Sequence, residues 1–203
     1  MIIKHFNLRA CLDKKISFYL LYGQNTGLIE ETIENIIKPK FSSNIFYYDE
    51  AEILANEDGF KEKIYNRSFF ENDKLIIINR GTDKILKIIS ELIEKKIEDT
   101  NIIIKSAVLE KKSKLRSFFE KDKKLIIIPF YEDNYQSLIT LVQNFCNEKK
   151  IKISIQNMNF IIERSKGNRI VLKNELDKIA SYSKNNKTIE FDDILKLTNP
   201  QKI

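Results

Sequence analysis

A five-stranded parallel α/β sheet, followed by a small all-α domain, is predicted by three features of this 203-residue sequence. Short apolar runs alternate with amphipathic stretches over roughly the first two thirds. Those runs are too uniformly apolar to have one wet face, so they belong in a sheet covered on both sides by helices. After Pro129 the runs give way to helical periodicity alone.

The first strand is residues 17–22, Ser-Phe-Tyr-Leu-Leu-Tyr, ended by a turn at Gly23. A helix follows, with Leu28, Ile29, Ile33, Ile36 and Ile37 at spacings of three and four, glutamates between them, and Pro39 closing it. Residues 45–48 form the second strand, and Phe60 and Ile64 mark a short helix. Residues 75–78 form the third strand, and Ile85, Leu86, Ile89, Leu92 and Ile93 mark another amphipathic helix. Residues 102–104 and 125–128 give the fourth and fifth strands, with a helix carrying Leu115, Phe118 and Phe119 between them. The boundary falls at residues 131–134, where the turn-forming Glu-Asp-Asn lies, so the domains are expected at 1–133 and 134–203. In the second domain, Leu138 to Phe145, Met158 to Ile162 and Ile170 to Ile179 read as three helices. A short fourth is expected at about 190–198, with Phe191, Ile194 and Leu197.

Composition removes several classes. With 42% hydrophobic and 32% charged residues, 5 Gly and 3 Pro, the chain is neither collagenous nor low-complexity. Its longest apolar runs fall far short of the roughly 18 residues of a membrane span, and the N-terminus lacks the order of a secretory signal; a cytoplasmic location is expected. Cys11 and Cys146 stand apart without a Cys-x-x-Cys, as structural thiols rather than a disulfide or zinc site. His5, the sole histidine, is expected to be solvated, which excludes histidine-based catalytic sets. The net charge of +6 is uneven: residues 1–134 carry 23 Lys/Arg against 22 Asp/Glu, and residues 135–203 carry 12 against 7. A mild positive field attracts phosphate backbones, but a solvated Lys-rich face explains the same count. The basic run Lys111, Lys112, Lys114 and Arg116 admits the same two readings.

A Walker A loop, Gly-x-x-x-x-Gly-Lys-Ser/Thr, wraps phosphates with backbone amides, neutralises them with lysine and holds magnesium with the hydroxyl. The place is right here, after the first strand, but the chemistry is not. Gly23 is followed by Leu28 in place of the second glycine, Ile29 in place of lysine and Glu30 in place of the hydroxyl residue. The third strand, which in an ATPase ends in acidic residues for magnesium and water, runs into Asn79 and Arg80. These losses predict no ATP hydrolysis and no bound cofactor or metal.

Tyr19-Leu20-Leu21-Tyr22-Gly23 with Leu28-Ile29-Glu30-Glu31, then Ser68-Phe69-Phe70 ahead of Lys74-Leu75-Ile76-Ile77-Ile78, resembles the delta subunit of the bacterial DNA polymerase III clamp loader. Lys111-Lys112-Ser113-Lys114-Leu115, Gly167-Asn168-Arg169 and Asn174-Glu175-Leu176-Asp177-Lys178-Ile179 follow in the family's order. The resemblance implies an AAA+/RecA-like first domain, a helical lid, and a subunit that binds the ring-shaped sliding clamp and opens it for loading onto primed DNA without hydrolysing ATP. It implies motor and delta-prime subunits as further partners, with direct DNA contact weak and no membrane. Family members usually add a helical collar domain, which is not found before Ile203, so a fragment or truncated member is expected. Where ATP-using relatives have Gly-x-x-Arg in the lid, Gly167 leads to Ile170, with Arg169 one residue early; the Ser-Arg-Cys of motor and delta-prime subunits does not occur.

Arg-Ser-Phe-Phe-Glu occurs twice, at 67–71 and 116–120. Phe118 and Phe119 follow Leu115 at helical spacing and read as core. Phe69 and Phe70 lie in a short polar connection, where two adjacent rings do not easily face one core. The resemblance makes this pair the hydrophobic plug for the clamp, flanked by Ser68, with Tyr65 where clamp-binding peptides commonly carry glutamine. The alternative is that both rings cap the domain core. Two other functions remain in play: a P-loop-fold ATPase with an atypical loop, and a DNA-binding adaptor using the basic C-terminal helices.

Overall fold

In the computed structural model, residues 1–12, 17–41, 44–65, 74–97, 99–183 and 188–198 are described below. The chain divides into two compact units, Met1–Tyr131 and Glu132–Ile203.

The first unit is built on β1 (Phe18–Gly23), β2 (Ile45–Asp49), β3 (Lys74–Asn79), β4 (Thr100–Ser106) and β5 (Ile126–Phe130). All pair in parallel in the order β2-β3-β4-β1-β5. Alternation along the apolar runs assigns each side chain a face. Leu20, Ile76, Ile78, Ile102, Ile104 and Ile127 share one core cluster; Tyr19, Leu21, Leu75, Ile77, Ile103, Ile126 and Ile128 share the other. Both faces are covered, so three adjacent isoleucines in one strand are all buried.

The second face is closed by α1 (Leu8–Cys11) and by α2 (Thr26–Thr32), which continues through a π-helical turn at Ile33–Ile37. Leu8, Cys11, Ile29, Ile33 and Ile37 are buried there. Over the first face lie α3 (Glu50–Ala55), α4 (Glu57–Tyr65), α5 (Leu86–Glu94) and α6 (Lys114–Lys121). Ile88, Ile89 and Leu92 of α5 are wholly buried, and each such side chain contributes about 2 kcal/mol. Phe119 is buried, as the helical spacing predicts, whereas Phe118, read as core as well, is only half-buried, edge-on to it.

Sequence reading places one helix between the second and third strands; the structure has two. Asp49 and Glu52 form a capping box that starts α3. Asn56 then breaks the helix and accepts a hydrogen bond from the Gly59 amide at 3.0 Å. The N-terminus also differs from expectation. Residues 1–3 lie along the open edge of β5, with the Ile3 amide donating to the Ile127 carbonyl and the Ile127 amide to that of Met1, both at 3.1 Å. His5 is half-buried rather than solvated, its ring 5.9 Å from that of Phe130.

The second unit comprises α7 (Tyr135–Lys149), α8 (Ile155–Arg164), α9 (Arg169–Tyr182) and α10 (Phe191–Thr198). Asn134, Ser154 and Asn168 cap the first three, each side chain accepting first-turn amides. Leu138, Val142, Cys146, Ile161, Leu172, Leu176, Ile179 and Ile194 make the core. Burial pushes the Cys146 thiol up to about 11, the state of an inert structural cysteine. Ile170 and Val171, the first apolar residues of the helix read from the sequence, are 47% and 40% exposed. The buried stripe of α9 begins only at Leu172, because the cap at Asn168 sets the helix phase.

Candidate functional site

The turn after β1 is set by Gly23, whose φ of +143° is rarely adopted by residues with a side chain. A Cβ there would lie 2.0 Å from the Phe130 carbonyl oxygen, so the turn is pressed against the end of β5. The Gly23 amide donates to the Ala107 carbonyl at 3.3 Å. Asn25 ties down the rest: its carboxamide nitrogen donates to the Tyr131 carbonyl at 3.1 Å, and its oxygen accepts the Leu28 amide at 3.0 Å. The Ile29 amide goes to the Asn25 carbonyl. The Leu28 and Ile29 amides are therefore both bonded to Asn25.

Ile29 is 3% exposed and belongs to the core beneath the sheet. Where a phosphate-binding lysine would reach outward, this side chain points in. Glu30 forms an ion pair with Lys105 at the end of β4, so the site carries its own cation and anion. On the third strand's side, Arg80 has a left-handed backbone and pairs with Asp49 at 2.8 Å. A cavity of about 440 Å³ remains between α2, the loop after β3 and the end of β4, with Thr26, Glu30, Asn79, Arg80, Lys105 and Ser106 on its wall. Among the described residues the buried Ser106 hydroxyl finds no hydrogen-bond partner. Among the described residues no group of three His, Cys, Asp or Glu is placed to hold a metal ion, and no helix is long and apolar enough to cross a membrane.

The loop that walls this cavity is bracketed by two carboxylates. Buried Glu50 accepts from the Thr82 amide at 2.7 Å, the Thr82 hydroxyl at 2.8 Å and the Ile85 amide at 3.2 Å. Asp83 accepts from the Ser113 hydroxyl at 2.6 Å and from the Leu115 and Lys114 amides at 2.9 and 3.0 Å. The Ser113 hydroxyl, then the two amides, hold the Asp83 carboxyl below its ordinary range.

Of the residues expected to meet a partner, Ser68, Phe69 and Phe70 lie outside the described residues. Tyr65 ends α4, half-buried, with the Lys95 ammonium 4.5 Å from its ring centre and its buried hydroxyl without a hydrogen bond among the described residues. The helix leading to it is fixed by buried Phe60 and Ile64 and by the Lys61–Glu91 ion pair to α5. In the second unit, Arg169 pairs with Asp133 at 2.9 and 3.1 Å, both side chains largely buried. Its guanidinium is thereby engaged within its own unit. Long-range pairs such as Glu30–Lys105 and Arg169–Asp133 carry no signal in sequence spacing.

A family model for the DNA polymerase III delta subunit matches residues 19–128. Among solved structures, the Bacillus subtilis DNA clamp loader delta protein is similar at 17% identity and TM-score 0.59, over 95% of this chain and 60% of that one. Domain III of the Thermotoga maritima replication initiation protein DnaA is similar at 13% identity and TM-score 0.55, over 95% and 88%. The Thermotoga maritima Holliday junction branch migration motor RuvB is similar at 17% identity and TM-score 0.57, over 89% and 60%. No curated protein matches the sequence. At these identities the structures speak to the fold, which is of the AAA+/RecA-like type with a helical C-terminal part. The chain spans about 60% of the length of the B. subtilis delta structure.

Proposed function

The chain belongs to the DNA polymerase III delta subunit family, and from that membership we propose that it grips the sliding clamp and opens the ring without hydrolysing ATP. The observation that carries the non-hydrolysing part is the state of the cradle. Ile29 is buried where lysine would neutralise phosphate, and the Glu30–Lys105 pair stands where metal and nucleotide charge would lie. The pair engages Lys105 rather than leaving it to meet triphosphate, and the end of β3 supplies Asn79 and Arg80 rather than acids.

For clamp contact the proposed plug is Phe69 with Phe70, flanked by Ser68 and Tyr65. Burial of one phenyl ring is worth about 1.5 to 3 kcal/mol, so two suffice for a small hot spot. Ring opening requires tighter binding to the open state than to the closed one, since equal affinity for both shifts nothing. A helix held by Phe60, Ile64 and the Lys61–Glu91 pair gives such a plug a firm base. Cytoplasmic location and assembly with motor and delta-prime subunits belong to the same reading.

The test is capture of purified clamp by the whole chain. Phe69→Ala/Phe70→Ala is expected to abolish capture while thermal unfolding stays largely unchanged. Retained capture would remove these residues from the site. Lost capture with a large fall in unfolding temperature would support the core-capping alternative instead.

A further inference from the structure

Glu50 opens α3 and is 7% exposed, an unusual place for a carboxylate. Its partners are neutral donors: the Thr82 and Ile85 amides share one oxygen, and the Thr82 hydroxyl takes the other. Burying a charge costs free energy that an apolar side chain would not incur, and apolar packing by itself has no direction. Three donors converging on one carboxylate do set a direction. They stand at the entry to α5, so Glu50 ties the root of α3 to that entry. Beside it the Asp49–Arg80 ion pair joins the same two segments. Further along, Asn56 links α3 to α4 through the Gly59 amide, and the Lys61–Glu91 pair ties α4 to the body of α5. The arm formed by α3 and α4 is thus anchored to one rail, first at Glu50 and again at Lys61. It ends at Tyr65, which precedes the proposed plug in sequence.

We propose that Glu50 is a positioning residue for clamp capture, its three hydrogen bonds holding the arm in the orientation from which the segment after Tyr65 meets the clamp. This inference rests on the clamp-gripping reading above and deepens it. Ile53, Phe60 and Ile64 supply the burial of the arm; Glu50 supplies its angle. Glutamine can take the place of Glu50 with every bond kept. Its oxygen accepts both amides, and its NH2 group donates to the Thr82 hydroxyl, which turns to accept. Alanine removes all three bonds at once.

The experiment pairs capture of purified clamp by the whole chain with amide hydrogen exchange measured without clamp. Glu50→Ala is expected to weaken capture about tenfold, and to quicken exchange about tenfold along α4, from Phe60 to Ile64, as well as at Thr82 and Ile85. Glu50→Gln is expected to match the parent in both. Leu8→Ala, a buried substitution under the opposite face of the sheet, is expected to lower the unfolding temperature at least as far while leaving capture unchanged. Exchange that quickens only at Thr82 and Ile85, equal loss of capture in Glu50→Gln, or equal loss in Leu8→Ala each overturns the proposal. A parent chain that captures no clamp overturns the underlying reading and this one with it. Parent capture that Glu50→Ala leaves intact overturns this one alone.

Discussion

Gly23 shows how much one residue's backbone fixes. Its φ of +143° and the 2.0 Å approach of the Phe130 carbonyl to a hypothetical Cβ act together. Gly23→Ala is therefore expected to cost about 3 kcal/mol or more, from backbone strain and displacement of β5. Urea unfolding measures it; a loss below about 1 kcal/mol would mean that the turn relaxes freely and that the cradle is not held against β5. The glycine itself was legible in the sequence as a turn after an apolar run. Its reason was not, because the residue that excludes a side chain lies more than a hundred positions away. The same holds for Glu30: the pattern reveals a carboxylate in place of a hydroxyl, but only the fold supplies Lys105 as its partner.

Among the elements, α6 depends on a side chain from outside itself. Ser113 caps it locally by accepting the Arg116 amide, and Asp83 accepts two further amides from another loop. Asp83→Ala should destabilise by about 1 kcal/mol, the usual cost of a lost cap, with hydrogen exchange quickening at Lys114 and Leu115. The Asp83 carboxyl is depressed in the folded state, so its stabilisation is complete above the ordinary aspartate range near pH 4 and is lost as pH falls through and below it. The variant's stability should thus converge with that of the parent at low pH; a difference constant down to about pH 2 would show that the carboxylate's charge is irrelevant. Strands were the most legible elements, because residues 75–78 and 102–104 are apolar on both faces and only a doubly covered parallel sheet hides both. Helices were legible where one stripe carries the burial, as in α5, and less so in α9, whose first exposed turn carries Ile170 and Val171. The break between α3 and α4 was not legible in the sequence, because Asn56 and Gly59 act through a local hydrogen bond rather than through periodicity. The proposed clamp plug rests on residue type and order alone, since Phe69 and Phe70 fall outside the described residues.

For the molecule as a whole, the question is whether the cradle is merely three substitutions away from a working nucleotide site. The packing argues that it is not. Leu28→Gly/Ile29→Lys/Glu30→Thr would rewrite the loop as a Walker A sequence, but position 29 is 3% exposed within the core beneath the sheet. Lysine there must either bury its ammonium, which costs several kcal/mol, or pull α2 off the sheet. Replacing Glu30 would also leave Lys105 without its ion-pair partner, adding like charge beside the new lysine. Asn25 would still hold the first-turn amide that a phosphate needs, and Asn79 and Arg80 would still stand where magnesium needs acids. The triple variant is therefore expected to lose about 3 to 5 kcal/mol of stability and to gain no protection from magnesium and ATP. A ligand bound at a hundredfold excess over its dissociation constant stabilises by about 2.7 kcal/mol, which thermal unfolding with and without nucleotide resolves easily. Stabilisation of the parent chain by magnesium-ATP would overturn the reading that the cradle excludes nucleotide, on which the proposed non-hydrolysing role rests. Stabilisation of the variant alone would show that the loop sequence, rather than the surrounding packing, keeps nucleotide out.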